Sequence, residues 1–271
     1  MFVAEKRHNA PKWLVFQHGL IGLSEVPSAF PSVWQLDKSD YPELYHHLSR
    51  VSRIKTDEPV MLIDCVTSSR YSAIVQVINK QSITLELLKR EPIVPKPQQK
   101  IEACCAMIKP DRWEWMLEKL VELGVGKIQP VITQNTQGQY VEKLMQPKYQ
   151  ARLQDIVVQT AQQCEQDSLP VIMPPIAITA MPECTEKQIG FVLSERGNGK
   201  GFKTVLEDID SVQNTVNTVR FVVGPEGGWM SEELDHLEKK GYHSITITGN
   251  ILRAETASIY AASLLSESCV S

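Results

Sequence analysis

Arg220-Phe-Val-Val-Gly-Pro-Glu-Gly-Gly228 and, further on, Ile247-Thr-Gly-Asn-Ile-Leu-Arg-Ala-Glu-Thr-Ala257 decide the fold of this chain. The first segment is a short apolar run that stops at a Gly-Pro and a Gly-Gly. Such a run reads as a buried strand delivered into a tight loop, because glycine permits positive φ and lets a ligand touch bare backbone. The second segment is a β-branched run, a Gly-Asn turn, and then a small-residue helix with Arg253 and Glu255 at its start. Two glycine-hinged loops at the ends of neighbouring strands predict a ligand cleft. Neither loop has the spacing of a Walker motif or of a dinucleotide fingerprint.

Working outward, strands and helices alternate. A strand at 101–107 leads to a helix near 111–123, whose Trp113, Met116, Leu117, Leu120 and Leu123 share one face and whose end is marked by Gly124. A strand follows at 127–132. Pro147 opens a helix near 147–165 with Leu153, Ile156, Val157, Ala161 and Cys164 on one stripe. Strands are expected near 190–194 and 219–224. Ser231 can cap a helix carrying Glu232 and Glu233 in its first turn, and strand 244–248 and helix 253–265 close the chain. This alternation predicts an α/β unit with a mostly parallel sheet and helices on both faces. Upstream, 58–66, 71–79 and 82–89 read as three closely spaced β-strands and suggest a small barrel. The proline-rich 90–100 reads as a linker, so the expected domains are 1–95 and 96–271. The first 35 residues read as irregular, and there is no internal repeat.

The 271 residues carry 28 Lys and Arg against 32 Asp and Glu, a formal net charge of −4. That balance excludes a protein that coats nucleic acid through a broadly basic surface, and leaves room for a local basic patch. No apolar run approaches the ~20 residues of a membrane span. The N-terminus lacks the apolar region and cleavage site of a secretory signal. The six cysteines are scattered without a Cys-x-x-Cys pair, which suits free thiols in a reducing cytoplasm. The pair His46-His47 has no convergent ligand set, so no metal is expected.

At the candidate site, Arg253 stands in the first turn of a helix, where a cation is mildly disfavoured, and its presence invites a reason. A steering role toward a substrate competes with an ion pair to Glu226 or Glu255. Either glutamate could accept a proton; helix-dipole complementarity for Glu255 and loop bracing for Glu226 are the structural alternatives. Lys109, Arg112 and Lys119 could contact phosphate or form a solvated helix face. Ala254, Ala257, Ala261 and Ala262, with Ser258 between, would allow close helix packing, within one subunit or between two.

The paired motifs, together with Lys109-Pro-Asp-Arg-Trp-Glu-Trp-Met-Leu-Glu-Lys-Leu-Val-Glu-Leu-Gly-Val125, resemble the RsmE family of 16S ribosomal RNA uridine-N3 methyltransferases, members of the SPOUT superfamily. The resemblance covers most of 100–265. It implies a trefoil-knotted methyltransferase domain behind a PUA-like or OB-like barrel, with S-adenosylmethionine as cofactor and no metal. The cofactor site would be Leu193 and Glu195, the loop Val223, Gly224, Pro225, Glu226, Gly227 and Gly228, the turn Thr248, Gly249, Asn250, Ile251 and Leu252, and Thr256 and Ala257. Arg253, Glu255 and Glu226 would be catalytic. Lys109, Arg112, Lys119, Arg50 and Arg53 would bind RNA, the partner being 16S ribosomal RNA in the 30S subunit. A homodimer through the C-terminal helix is implied as well. The chain departs from the family at Asn135 and Gln166, where arginines are usual. A SPOUT enzyme acting on transfer RNA or a ribose 2′-oxygen, and a non-catalytic ribosome-associated module, are the alternative readings.

Overall fold

The computed structural model describes residues 12–17, 31–51, 53–64, 69–93, 100–164, 166, 168–194, 200–201, 218–246 and 250–270. Contacts divide the chain into two compact units, 1–94 with 162–168, and 95–161 with 169–271. Among the described residues no helix is long and apolar enough to cross a membrane.

The first unit is a sheet of five strands in the order β1-β3-β4-β5-β2. They are β1 (Lys12–Gln17), β2 (Ser32–Asp37), β3 (Pro59–Asp64), β4 (Ser69–Ile78) and β5 (Ser82–Pro92). β3, β4, β5 and β2 pair antiparallel, and β1 lies parallel to β3. The period of two that builds such a sheet is plain in β4, where Tyr71, Ala73 and Val75 are buried and their neighbours are not. Two expectations are corrected. Residues read as irregular contain β1 and most of β2; in β2, Trp34 and Leu36 turn inward while Val33 and Gln35 stay exposed. The stretch read as linker begins inside β5, which runs to Pro92. A short helix, α1 (Pro42–His46), continues into a π-helical turn, His47–Val51. Beyond it Asp57 takes φ +67°, the conformation a turn glycine would supply, and Arg53 takes φ +48°.

In the second unit every strand pair is parallel, in the order β11-β13-β10-β12-β6-β7-β8, with β9 also on β7. The long strands are β6 (Ile101–Ala106), β7 (Lys127–Ile132), β10 (Gln188–Leu193), β12 (Thr218–Val223) and β13 (Tyr242–Thr246). The short ones are β8 (Val171–Ile172), β9 (Ile176–Ala177) and β11 (Lys200–Gly201). Adjacent cysteines of β6 show that both sheet faces are covered. Cys104 packs in a cluster with Val131, Val222, Leu237 and Tyr242. The Cys105 sulfur faces the other way and lies 3.5 Å from the Ser258 hydroxyl. Two covered faces explain why these strands are continuous apolar runs. Burial also pushes the Cys105 thiol up to about 12 and raises Cys104 further.

Helix α2 (Pro110–Glu122) buries Trp113, Met116, Leu117, Leu120 and Val121. It ends as a Schellman motif: Gly124 at φ +77° donates to Val121 O, and Val125 N donates to Leu120 O. Pro130 lies inside β7, which its missing N–H would normally forbid. It is tolerated because β8 pairs with Lys127 and Ile128 and β9 with Val131 and Ile132, leaving Pro130 opposite the gap between them. The Gln129 carboxamide donates into that gap, to Pro174 O at 2.6 Å. Helices α3 (Gly138–Leu144), α4 (Pro147–Gln163), α5 (Ser231–Lys239) and α6 (Ala254–Val270) complete the unit. Ser231 is not the cap of α5 but its first residue; Met230 is the N-cap, and Glu233 accepts the Met230 N–H at 3.0 Å.

At the N-terminal ends of the strands, buried Arg220 donates to Glu102 at 2.7 Å and to the Tyr242 hydroxyl at 2.9 Å. Strand β10 runs between Arg220 and Tyr242, and its residue level with both is Gly190. A Cβ there would lie 2.7 Å from Tyr242 Cδ1 and 2.3 Å from Cys184 Sγ, so the contact across β10 requires glycine. The threading of the knot that the resemblance implies involves 195–199, 202–217 and 247–249, which lie outside the described residues.

Candidate functional site

The C-terminal ends of β10, β12 and β13 open onto one cleft of about 660 Å³. The sheet order makes this a place for a ligand, since β10 is flanked by β12 and β13 and all three deliver their loops to the same edge. Leu193 and Ser194 form one wall, and Val223 to Trp229 a second. Thr246 and the run Asn250 to Ala254 form the third, with Ala257 behind. The structure thus brings together Leu193, Val223, Gly224, Pro225, Glu226, Gly227, Gly228, Asn250, Ile251, Leu252, Arg253 and Ala257, all of them expected from sequence. Glu195, Thr248 and Gly249 lie outside the described residues. Thr256 is exposed on α6 and is not a lining residue.

The second wall is shaped by its glycines. Gly228 takes φ +73°, a conformation other residues rarely adopt, and its N–H closes a turn on Pro225 O at 2.9 Å. A Cβ at Gly224 would lie 2.9 Å from the Trp229 ring, whose indole N–H donates to Leu193 O at 2.8 Å. Trp229 therefore ties the loop after β12 to the end of β10, a role its sequence neighbourhood did not reveal. A Cβ at Gly227 would lie 2.9 Å from the Cβ of Asn135. Side-chain growth at Gly227 is thus blocked first by the loop after β7. The Asn135 carboxamide nitrogen lies 3.1 Å from Gly227 O and 3.0 Å from Gly228 O. In the sequence Asn135 is notable only as a place where the family has arginine, and Trp229 not at all, because the partners that give them these roles are distant.

The charged groups sort themselves by partner. Arg112 lies 3.4 Å from Glu226 and 3.9 Å from Glu255. Glu226 is exposed and lines the cleft. Glu255 is 5% exposed, is not a lining residue, and its Oε2 is buried without a hydrogen-bond partner. The ion pair that sequence offered to Arg253 is thus made by Arg112. Arg253 is exposed at the cleft and has no ion-pair partner among the described residues. Of the other RNA candidates, Lys109 pairs with Asp111 at 3.1 Å, and Lys119 pairs with Glu118 and Glu122 at 2.8 and 2.6 Å. Those partners hold Asp111 below the usual carboxylate range and Lys119 above the usual ammonium range. Arg50 and Arg53, in the first unit, are exposed and have no ion-pair partner among the described residues. Among the described residues no group of three or more His, Cys, Asp or Glu side chains could hold a metal.

The family profile described as an RNA methyltransferase domain matches residues 95–266. Ribosomal RNA small subunit methyltransferase E of Rickettsia conorii is 29% identical over 217 residues, which cover 80% of this chain and 83% of that protein. The protein of the same name from Mesomycoplasma hyopneumoniae is 28% identical over 215 residues, 79% of this chain and 87% of its own length. Among solved structures, ribosomal RNA small subunit methyltransferase E from Neisseria gonorrhoeae, bound to S-adenosyl methionine, superposes with a TM-score of 0.72. It is 23% identical, and the match covers 94% of this chain and 96% of that one. A Legionella pneumophila protein solved with bound SAM gives a TM-score of 0.73 at 22% identity over 94% of this chain and 96% of that one. At these identities the structural likeness concerns the fold. Profile, relatives and fold agree with the paired glycine motifs: the chain belongs to the RNA methyltransferase domain family, and within it to the RsmE family of small-subunit ribosomal RNA methyltransferases.

Proposed function

We propose that the cleft binds S-adenosylmethionine and that the protein transfers a methyl group to N3 of a uridine in the 16S ribosomal RNA of the 30S subunit. The observation that carries this reading is the cleft itself, built from both glycine motifs at the C-terminal ends of three neighbouring parallel strands. The residues present fit the cofactor. The volume lies within the range of small-molecule sites. Gly224, Gly227 and Gly228 bring bare backbone to one wall, which suits the hydrogen-bonding edge of adenine. Leu193, Val223, Ile251, Leu252 and Ala257 supply apolar surface for a ring.

The bound cofactor supplies an electrophilic methyl on a sulfonium, a good leaving group. What remains for the chain is alignment of the base and management of one proton. Glu226 is the carboxylate on the cleft wall and is assigned the imide proton; buried Glu255 acts through Arg112, which reaches both carboxylates. Arg253 is assigned the negative charge that builds on the uracil imide as N3 is deprotonated. Arg50 and Arg53 are assigned to RNA phosphate, because the cations of α2 are already neutralised by acids.

We also propose a homodimer, by a face other than the one sequence suggested. Ala257, Ala261 and Ala262 are buried within their own chain, where α6 packs on α2, β6 and β12. The free stripe of α6 is Thr256, Tyr260, Ser263 and Glu267, with Tyr260 40% exposed. Light scattering should give twice the chain mass, and Tyr260→Asp should lower it; a wild-type monomer at micromolar concentration contradicts the proposal.

The functional reading is tested by incubating the protein with methyl-labelled S-adenosylmethionine and, separately, 30S subunits and transfer RNA. Label is expected in the 30S particle alone. Label in transfer RNA favours another target, and no label despite cofactor binding favours a non-catalytic module.

A further inference from the structure

We propose that Asn135 is the positioning residue of the cofactor loop, its carboxamide nitrogen setting Gly227 and Gly228 in the form that binds S-adenosylmethionine. The proposal rests on the reading of the cleft as the cofactor site. A primary carboxamide nitrogen carries two N–H groups, and Asn135 directs them at two successive carbonyls, Gly227 O at 3.1 Å and Gly228 O at 3.0 Å. A trans peptide carries its N–H opposite its C=O. The pull on the Gly228 carbonyl therefore turns the N–H of Trp229 away from Asn135, fixing the amide planes of a segment whose residues line the cleft.

The loop that carries Asn135 is itself held at both ends. Thr136 N donates to Thr133 O at 3.1 Å, and Thr133 N donates to the Thr136 hydroxyl at 2.9 Å. The next anchor is Glu233, 7% exposed, one oxygen accepting from Gln134 N at 2.8 Å and the other from Met230 N at 3.0 Å. Residues 227–230 are thus fastened to the loop after β7 at two points, by a neutral donor and by a buried carboxylate. The approach is as close as glycine allows, since a Cβ at Gly227 would sit 2.9 Å from Asn135 Cβ. Such a two-point brace holds backbone groups in their binding geometry before the ligand arrives, which is where preorganisation raises affinity.

The side chain must donate twice, and this makes the proposal testable by charge alone. In Asn135→Asp an ionised carboxylate, which only accepts, would face two carbonyl oxygens. Calorimetry on the full chain at neutral pH should show S-adenosylmethionine binding weakened about 10-fold or more. Lowering the pH from about 7.5 to about 5 should return much of that loss, because a protonated carboxyl can donate to one carbonyl and its pKa is raised by the site. Wild type should show no such recovery. Turnover at saturating cofactor should stay within about 3-fold of wild type, the loss appearing in KM for the cofactor. Gly227→Ala, which forces the same two backbones apart, should weaken binding without pH recovery and serves if Asn135→Asp does not fold. Asn135→Asp binding as tightly as wild type at neutral pH, or weakened equally at both pH values, overturns the proposal while leaving the cleft reading intact. A wild-type chain that binds no S-adenosylmethionine overturns both.

Discussion

Arg253 is the residue to which the proposed chemistry assigns the charge that builds on the uracil. It stands at the cleft, exposed, while the two carboxylates nearest to it in the motifs are engaged by Arg112. The helix starts at Ala254, so Arg253 stands just before it rather than in its first turn; a cation there, disfavoured by the dipole and without an ion-pair partner among the described residues, is open to a ligand that arrives later. Arg253→Ala should leave S-adenosylmethionine binding within a few-fold and lower methyl transfer by roughly 10²-fold, about 2.7 kcal/mol, because an interaction made in the transition state does not enter ground-state affinity. Calorimetry and single-turnover kinetics on the variant check this; unchanged turnover with abolished cofactor binding would return Arg253 to a structural role. At this scale the sequence disclosed what was local. The Gly-Pro-Glu-Gly-Gly loop and the Ile-Leu-Arg turn each carry their own signal. Asn135, Trp229 and Glu233 do not, since each acts through a residue or loop far along the chain.

At the scale of elements, alternation of strand and helix was legible because long elements carry a period. The helix now numbered α2 was readable from its apolar stripe and from Gly124; the structure puts Val121 on the buried face in place of Leu123, which is the C-cap, and adds the two C-terminal hydrogen bonds that complete the helix. Short elements carry no such signal: β8 and β9 have two residues each, and α3 has seven. The cap of α5 was misplaced for a different reason. Ser231 is a good capping residue, but Glu233 reaches back to the Met230 amide, and that tertiary choice sets the boundary. The Gly190 crossing was also illegible, because it depends on strand order. It yields a stability test. Gly190→Ala must place a methyl against Cys184 and Tyr242 in a packed sheet. It should cost about 1–3 kcal/mol, the range for overpacking, read as a lower denaturant midpoint with unchanged slope. An unchanged midpoint would show that the Arg220–Tyr242 contact does not depend on glycine.

At the scale of the whole molecule, a net charge of −4 means that RNA must be held by few cations. Of the five cations that the resemblance assigns to RNA, three are already paired. Lys109, Arg112 and Lys119 are each tied to an acid, whereas Arg50 and Arg53 have no ion-pair partner among the described residues. Arg53 is also held at φ +48°, a backbone conformation that costs a non-glycine residue about 1–2 kcal/mol and invites a functional reason. Replacing both arginines with alanine should weaken binding to 30S subunits and reduce the salt slope by about 1 for each phosphate no longer neutralised. Lys119→Ala should change neither, and equal weakening by all three substitutions would show that the ion pairs do not restrain the α2 cations. The identity of the methylated nucleoside decides whether the proposed reaction takes place. 30S subunits treated with the protein and S-adenosylmethionine would have their 16S ribosomal RNA digested to nucleosides and analysed by mass spectrometry against standards. New N3-methyluridine is expected, strongly reduced with Arg253→Ala. A methyl group on a ribose or on another base, or none at all, would contradict the proposed reaction.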